Sequence, residues 1–171
     1  MTISGKGTQQ ILNSNFNPTP YYLEVNSVEK TFDYTINDLE NDQNKIIMKF
    51  NTPITSCENM FSGLSNINEI DMTNFDFSEV TSMKGMFFGN ENLWKLNFNP
   101  NQKISKITNL ENTFRGCNNL ESIDLSMFDT SLVTNMAHMF RECYRLQNLN
   151  VSNFNTLLVT DMQYMFLDVD C

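Results

Sequence analysis

The chain has 171 residues, 40% hydrophobic and 18% charged, with a formal net charge of −9 at pH 7. That is one ordinary domain or one short array with enough apolar material for a core, which excludes a disordered polymer. The negative balance excludes nucleic acid and anionic membrane surfaces as partners, because both demand a basic field that eleven scattered Lys and Arg do not make.

The N-terminal stretch Met1-Thr2-Ile3-Ser4-Gly5-Lys6 lacks the charged-then-apolar layout of a signal peptide. Gly5-Lys6-Gly7-Thr8 has the residue types of a phosphate loop without its spacing or a preceding strand. No apolar run approaches the roughly 18 residues of a membrane-spanning helix, so a soluble chain with no membrane insertion is expected. Residues 21–25, 32–36 and 46–50 read as strands, with Asn17-Pro18-Thr19-Pro20 and the polar run 38–44 as breakers. The third runs directly into Pro53-Ile54-Thr55 and reads as the strand of a first, degenerate repeat. Residues 1–45 are then expected to form a small β cap on an array spanning 46–171.

The array announces itself by its period. Thr55, Thr81, Thr108, Thr134 and Thr160 each stand six residues before a phenylalanine, namely Phe61, Phe87, Phe114, Phe140 and Phe166. About five 26-residue units follow one another, the signature of a stacked array whose units cannot bury their apolar faces alone. The unit is clearest in residues 120–143, LESIDLSMFDTSLVTNMAHMFREC. Leu120, Ile123 and Leu125 alternate against polar residues as a short strand does, and Ile67, Ile70 and Met72 occupy the same places two units earlier in the array. Leu93, Leu96 and Phe98, and Leu146, Leu149 and Val151, repeat them, so adjacent units are predicted to pair in parallel.

After a turn at Phe128-Asp129, Met136, Met139 and Phe140 follow the spacing of one helical face. Thr is a good helix N-cap, and Thr55 with Glu58, Thr108 with Glu111 and Thr160 with Gln163 match capping boxes. Gly63, Gly89 and Gly116 follow where a left-handed end is expected. The predicted fold class is therefore α/β: a leucine-rich-repeat-like solenoid with a parallel β-sheet on one face, short helices on the other and a small N-terminal β cap. The columns of Met60, Met86, Met139 and Met165 read as core filler beside the phenylalanines. The third unit carries one extra residue near Asn99-Pro100-Asn101, which predicts a bulge there. With no further strand before Cys171, a C-terminal cap is expected to be missing, leaving open end-to-end association through the last unit.

Cys57, Cys117, Cys143 and Cys171 form no CxxC or Cys/His pair, which argues against structural zinc. Cys117 and Cys143 share one column, and the readings for them are buried thiols or a disulfide.

The unit LESIDLSMFDTSLVTNMAHMFREC, with IDMTNFDFSEVTSMKGMF and LNVSNFNTLLVTDMQYMF, resembles the BspA-type leucine-rich repeats, including the mycoplasma-type repeats of unknown function. The resemblance covers about residues 46–166 and rests on Leu-Asp-Leu-Ser, Phe-Asp-Thr-Ser, Val-Thr and Met-Phe recurring in one order. The third unit departs from it, with Asn97-Phe98-Asn99-Pro100 at the serine step and Thr113 before Phe114. The resemblance implies a cell-surface or secreted location and adhesion or recognition of other proteins, with no catalytic residue to carry over.

The residues agree on chemistry. The sole histidine, His138, is expected on the solvent side with no acid or nucleophile assigned to it, so no catalytic site, no metal site and no cofactor are expected. The remaining candidate is the polar face of the strands. Asp71, Asn97, Asp124 and Asn150 share one column, with Glu69, Lys95, Ser122 and Asn148 on one side and Thr73, Asn99, Ser126 and Ser152 on the other. Asp and Asn alternate, which keeps like charges apart on neighbouring strands. This column reads as a solubilising ladder, as a recognition surface for protein or glycan, or as a calcium bridge between aspartates. An exposed Trp94 beside it raises the recognition reading and a buried one lowers it, since such residues anchor interfaces. Asn150-Val151-Ser152 also forms a glycosylation sequon, placed in a strand. The functional expectation is a non-enzymatic binding or adhesion module for a protein or glycan ligand on another cell or matrix. The alternative is a structural spacer within a larger surface protein.

Overall fold

The threonine of each unit hydrogen-bonds to the threonine of the unit before it. In the computed structural model, which describes residues 1–169, Thr81 donates its backbone N–H to Thr55 O at 2.8 Å and its hydroxyl to the same oxygen at 3.0 Å. Thr108, Thr134 and Thr160 make the same pair of bonds to Thr81, Thr108 and Thr134. The expected capping boxes are thereby corrected, because the threonine hydroxyl is engaged with the neighbouring unit. The side chain one residue later closes the local turn: Asn109 Oδ1 accepts the Glu111 N–H and Asn135 Oδ1 accepts the Ala137 N–H, each at 2.9 Å. The C-terminal residues Asp170 and Cys171, which fall in the expected array, lie outside the described residues.

The expected short helices are also overturned. Asn59, Gly85, Asn112, His138 and Tyr164 occupy one repeat position and all have φ between 53° and 60°, and Gly63, Gly89, Gly116, Glu142 and Asp168 four residues on are left-handed too. A right-handed helix cannot pass through left-handed residues spaced four apart. The segment is a run of tight turns in which successive amides take different partners. In the fourth unit Met139, Arg141 and Cys143 donate to Met136, His138 and Phe140, closing i to i+3 turns, while His138, Phe140 and Glu142 donate to Gln163, Met165 and Leu167 of the next unit. Both periodicities put residues i, i+3 and i+4 inside, which is why the pattern reads as helical.

The fold class is accordingly corrected. Among the described residues there is no helix, regular structure is all β, and the strands fall into three sheets of mixed direction, so the leucine-rich-repeat-like solenoid with a helical face does not form. One sheet has six strands in the order β4-β3-β6-β1-β7-β8: β4 (Val28–Lys30), β3 (Tyr22–Val25), β6 (Gln43–Lys49), β1 (Thr2–Ser4), β7 (Ile67–Met72) and β8 (Lys95–Phe98). β2 (Gly7–Gln10) pairs antiparallel with β5 (Thr35–Leu39), and β9 (Ser122–Ile123) pairs in parallel with β10 (Asn148–Leu149).

The N-terminal elements differ from expectation in three ways. The strand expected at 32–36 lies further on, as β5. The strand expected at 46–50 is β6, and it does not pair with the next unit, because β1 is inserted antiparallel between β6 and β7. The boundary expected at residue 45 thus falls inside β6. β1 is too short to recognise by pattern, but its Ile3 is fully buried and anchors the insertion.

The core is built from the repeat columns. Phe61, Phe87, Phe114 and Phe140 are buried and, with Phe166, form a stack with neighbouring ring centroids 5.5 to 5.9 Å apart and near-parallel planes. The methionines Met60, Met86, Met139 and Met165 are buried beside it, as is Thr113 in the same column, whose hydroxyl reaches Leu110 O at 2.8 Å. Burial pushes the Cys57 thiol up to about 12 and the Cys117 thiol well above its ordinary range. Cys117 is a free thiol, so no disulfide joins it to Cys143. Asn90 stands in the column of Leu64, Cys117 and Cys143, fully buried, with neither side-chain amide atom hydrogen-bonded.

Two stability outcomes follow. Replacing Phe114 by Ala removes a fully buried ring from the middle of the stack and is expected to cost about 3–5 kcal/mol in urea unfolding. Replacing Asn90 by Cys, the residue its column carries in the next two units, removes an unpaired buried amide and is expected to stabilise by about 1–3 kcal/mol in the same assay.

Candidate functional site

The strand face is reached through register. In the parallel pair β7–β8, Glu69 lies opposite Lys95 and Asp71 opposite Asn97, while buried Ile70 and Met72 lie opposite Leu96 and Phe98. Period-two alternation therefore sends the polar column outward. Lys95 Nζ lies 3.4 Å from Glu69 Oε2 and 5.7 Å from the centre of the Trp94 ring. Trp94 is 51% exposed. Two units on, β9–β10 sets Ser122 opposite Asn148, with Asp124 and Asn150 just beyond. These four line, with Gln147, a shallow depression of about 540 Å³.

The expected single face is thus two patches. Glu69, Asp71, Trp94, Lys95 and Asn97 are brought together on β7–β8, and Ser122, Asp124, Asn148 and Asn150 on β9–β10; β8 and β9 belong to different sheets. Each patch also builds its own turn. Asp71 Oδ1 accepts the Thr73 N–H at 3.0 Å, Asp124 Oδ1 the Ser126 N–H at 2.9 Å and Asn150 Oδ1 the Ser152 N–H at 3.0 Å, side chains bonding the backbone two residues on. In the third unit this turn moves to Asn99, which accepts the Asn101 N–H, so Asn97 is released. The extra residue of that unit is absorbed there.

These turn bonds set the electrostatics. The backbone amides of Thr73 and Ser126 hold the carboxyls of Asp71 and Asp124 below the usual carboxylate range. Asp129, outside the expected face, goes further: Lys103 Nζ at 2.9 Å and the Ser131 hydroxyl and N–H bring it down to about 2. No group of three or more His, Cys, Asp or Glu side chains converges among the described residues, which gives the calcium reading no geometry.

Another cluster escaped sequence reasoning. Arg115 lies over the Phe88 ring at 5.4 Å and Arg141 over the Tyr164 ring at 5.8 Å, and both guanidinium groups approach the single carboxylate of Glu142. His138 is half-buried against the Tyr164 ring, centroids 5.4 Å apart, with Nδ1 buried and unpaired, which corrects its expected solvent-facing place. The available signal was that the three arginines of the chain all fall in units three and four. Asn153 was also missed; its amide donates to Phe128 O at 3.0 Å and Leu125 O at 3.2 Å, tying the last strand turn to the preceding unit.

A family model described as Mycoplasma protein of unknown function, DUF285, matches the chain twice in succession, over residues 26–103 and 95–170. No curated protein and no solved structure matches it.

The Asp129 environment sets a pH outcome. Its carboxyl titrates near 3.8 when unfolded and about 2 when folded, so its stabilisation is full above about pH 4 and is lost as the pH falls toward 2. Asp129→Asn is expected to be less stable than the parent at neutral pH, by up to about 1 kcal/mol for a solvent-screened pair. In thermal unfolding the difference shrinks as the pH falls through that window.

Proposed function

Since the chain belongs to the repeat family described as Mycoplasma protein of unknown function, DUF285, matched from residue 26 to 170, we propose from its geometry that it is a non-enzymatic recognition module. It engages a protein or glycan through the polar strand face, centred on the β7–β8 patch and extending to β9–β10, and works at the cell surface or in secreted form. The observation that carries this reading is Trp94: a large apolar ring, 51% exposed, set beside the Lys95–Glu69 pair on a strand face. A half-exposed tryptophan costs hydration unless a partner covers it, and aromatic residues flanked by charge supply most of the binding energy at protein interfaces. The BspA-type kinship implied by the order of Phe-Asp-Thr-Ser, Val-Thr and Met-Phe belongs to the same proposal, as a matter of sequence pattern and of surface display.

A spacer role is the competing reading, and one observation favours it: Asp71, Asp124 and Asn150 are each engaged in closing their own strand turns. Both readings are put to one experiment. Trp94→Ala, Asp71→Asn and Asp124→Asn are combined, asparagine being chosen because it keeps the turn-closing oxygen while removing the charge. The parent and the triple variant are then used side by side as bait in cell-surface and matrix extracts, with circular dichroism to confirm equal folding. A partner retained by the parent and lost by the variant is the expected outcome; equal retention, or none by either, assigns the chain to the spacer role.

A further inference from the structure

Trp94 stands alone on its face. Four units carry the strand, opening at Ile67, Leu93, Leu120 and Leu146, and no residue of the columns that hold Asn92, Trp94, Lys95 and Asn97 is buried in any of them. Every other member of those columns is polar. The apolar residues between them, Leu93, Leu96 and Phe98 in the unit of Trp94, are all turned into the core. Amides run alongside the ring: Asn92 donates its side-chain N–H to Ser65 O and Asn119 to Glu91 O, each at 2.8 Å. Asp71, Asp124 and Asn150 close their own turns, whereas Asn97 closes none, which leaves its carboxamide available to a ligand.

A protein partner fits this surroundings poorly. The centre of a protein contact is apolar and poor in charge, and covering Trp94 with such a surface strips water from its polar neighbours without replacing their hydrogen bonds. A sugar ring has the matching layout: a face of C–H groups to lie on the indole, and a rim of hydroxyls that both donate to and accept from amides. The two cations of these columns are already engaged, Lys95 at 3.4 Å from Glu69 and Arg145 at 3.9 Å from Glu121, so neither is left over to hold a sulfate or a carboxylate. The carboxylates of Asp71 and Asp124 are in turn engaged with the amides of Thr73 and Ser126. Taking the Trp94 patch as the recognition face proposed above, we infer that its occupant is an uncharged glycan, with one sugar ring stacked on Trp94 and a further one reaching Asn97. Three residues of extended chain separate the two, about 10 Å, which a single sugar ring does not bridge and a short oligosaccharide does.

Trp94 is the sole tryptophan, so indole emission reports on this site alone. The full chain is titrated with four uncharged tetrasaccharides, of glucose in α and in β linkage, of mannose and of N-acetylglucosamine. A saturable change with at least one of them is expected, half-maximal at about 1 mM, the affinity that one stacked ring with a few hydroxyl contacts supports. With that sugar, saturation-transfer NMR is expected to show binding kept by Trp94→Tyr, lost by Trp94→Ala and weakened about fivefold by Asn97→Ala. No change with any of the four overturns the inference, as does equal binding by Trp94→Ala or tighter binding of the sulfated form of the same sugar. Partner capture from extracts keeps this failure apart from failure of recognition itself. Release of the partner by the sugar at about tenfold its half-maximal concentration is expected. Trp94-dependent capture by a chain that no sugar binds, or that the bound sugar does not displace, leaves recognition standing with a protein as occupant and sinks the glycan; neither sugar binding nor Trp94-dependent capture sinks both.

Discussion

The structure depends on a division of labour among backbone amides. In the segments after Thr55, Thr81, Thr108 and Thr134, one N–H closes a turn within the unit and the next reaches a carbonyl of the neighbouring unit, so that neither turn nor stack is formed at the other's expense. Buried peptide groups must be paired, and a helix would have spent all of these amides inside the unit, leaving nothing to join it to the next. The left-handed residues at the Asn59 and Gly63 positions make the alternation possible, since each reverses the direction in which the following amide points. The phenylalanine stack and the methionine columns fill the space that this spacing leaves.

Seen in these terms, what was legible in the sequence was everything that repeats by side chain. The period, the buried Met and Phe columns and the outward Asp/Asn column are side-chain patterns, and each could be read from spacing alone. The helices were misread because the apolar positions Met136, Met139 and Phe140 fall inside in a turn ribbon just as they would in a helix. The discriminating signal was Asn59, Gly85 and Asn112, residue types at home with positive φ, but His138 and Tyr164 break that pattern in the last two units. β1 was illegible for another reason: three residues contain too little alternation to mark a strand, and its pairing with β6 and β7 is a tertiary fact.

The candidate site divides along similar lines. The polar column was found by periodicity, and its outward placement on β7–β8 matches that reading. Its splitting into two patches was not visible, because it depends on where backbone pairing lapses between β8 and β9. Nor could composition reveal that Asp71 and Asp124 close their own turns, which gives one side chain both a local task and an exposed charge. The arginine and aromatic cluster lay hidden for another reason: Arg115 and Arg141 share a repeat column that Ser62, Phe88 and Leu167 hold in the other units, so the column shows no single residue type.

The bonds that join one unit to the next run mostly from backbone to backbone, with the threonine hydroxyl, the thiols of Cys117 and Cys143 and the amides of Asn92 and Asn119 as recurring side-chain supplements. Such joints are blind to most of the residues around them. A gene that duplicates or loses one whole period would deliver a chain whose new neighbours already match, provided the threonine, the phenylalanine and a residue tolerant of positive φ travel with it. Length can therefore vary by recombination while the outer side chains diversify by point mutation, two routes of change that do not interfere.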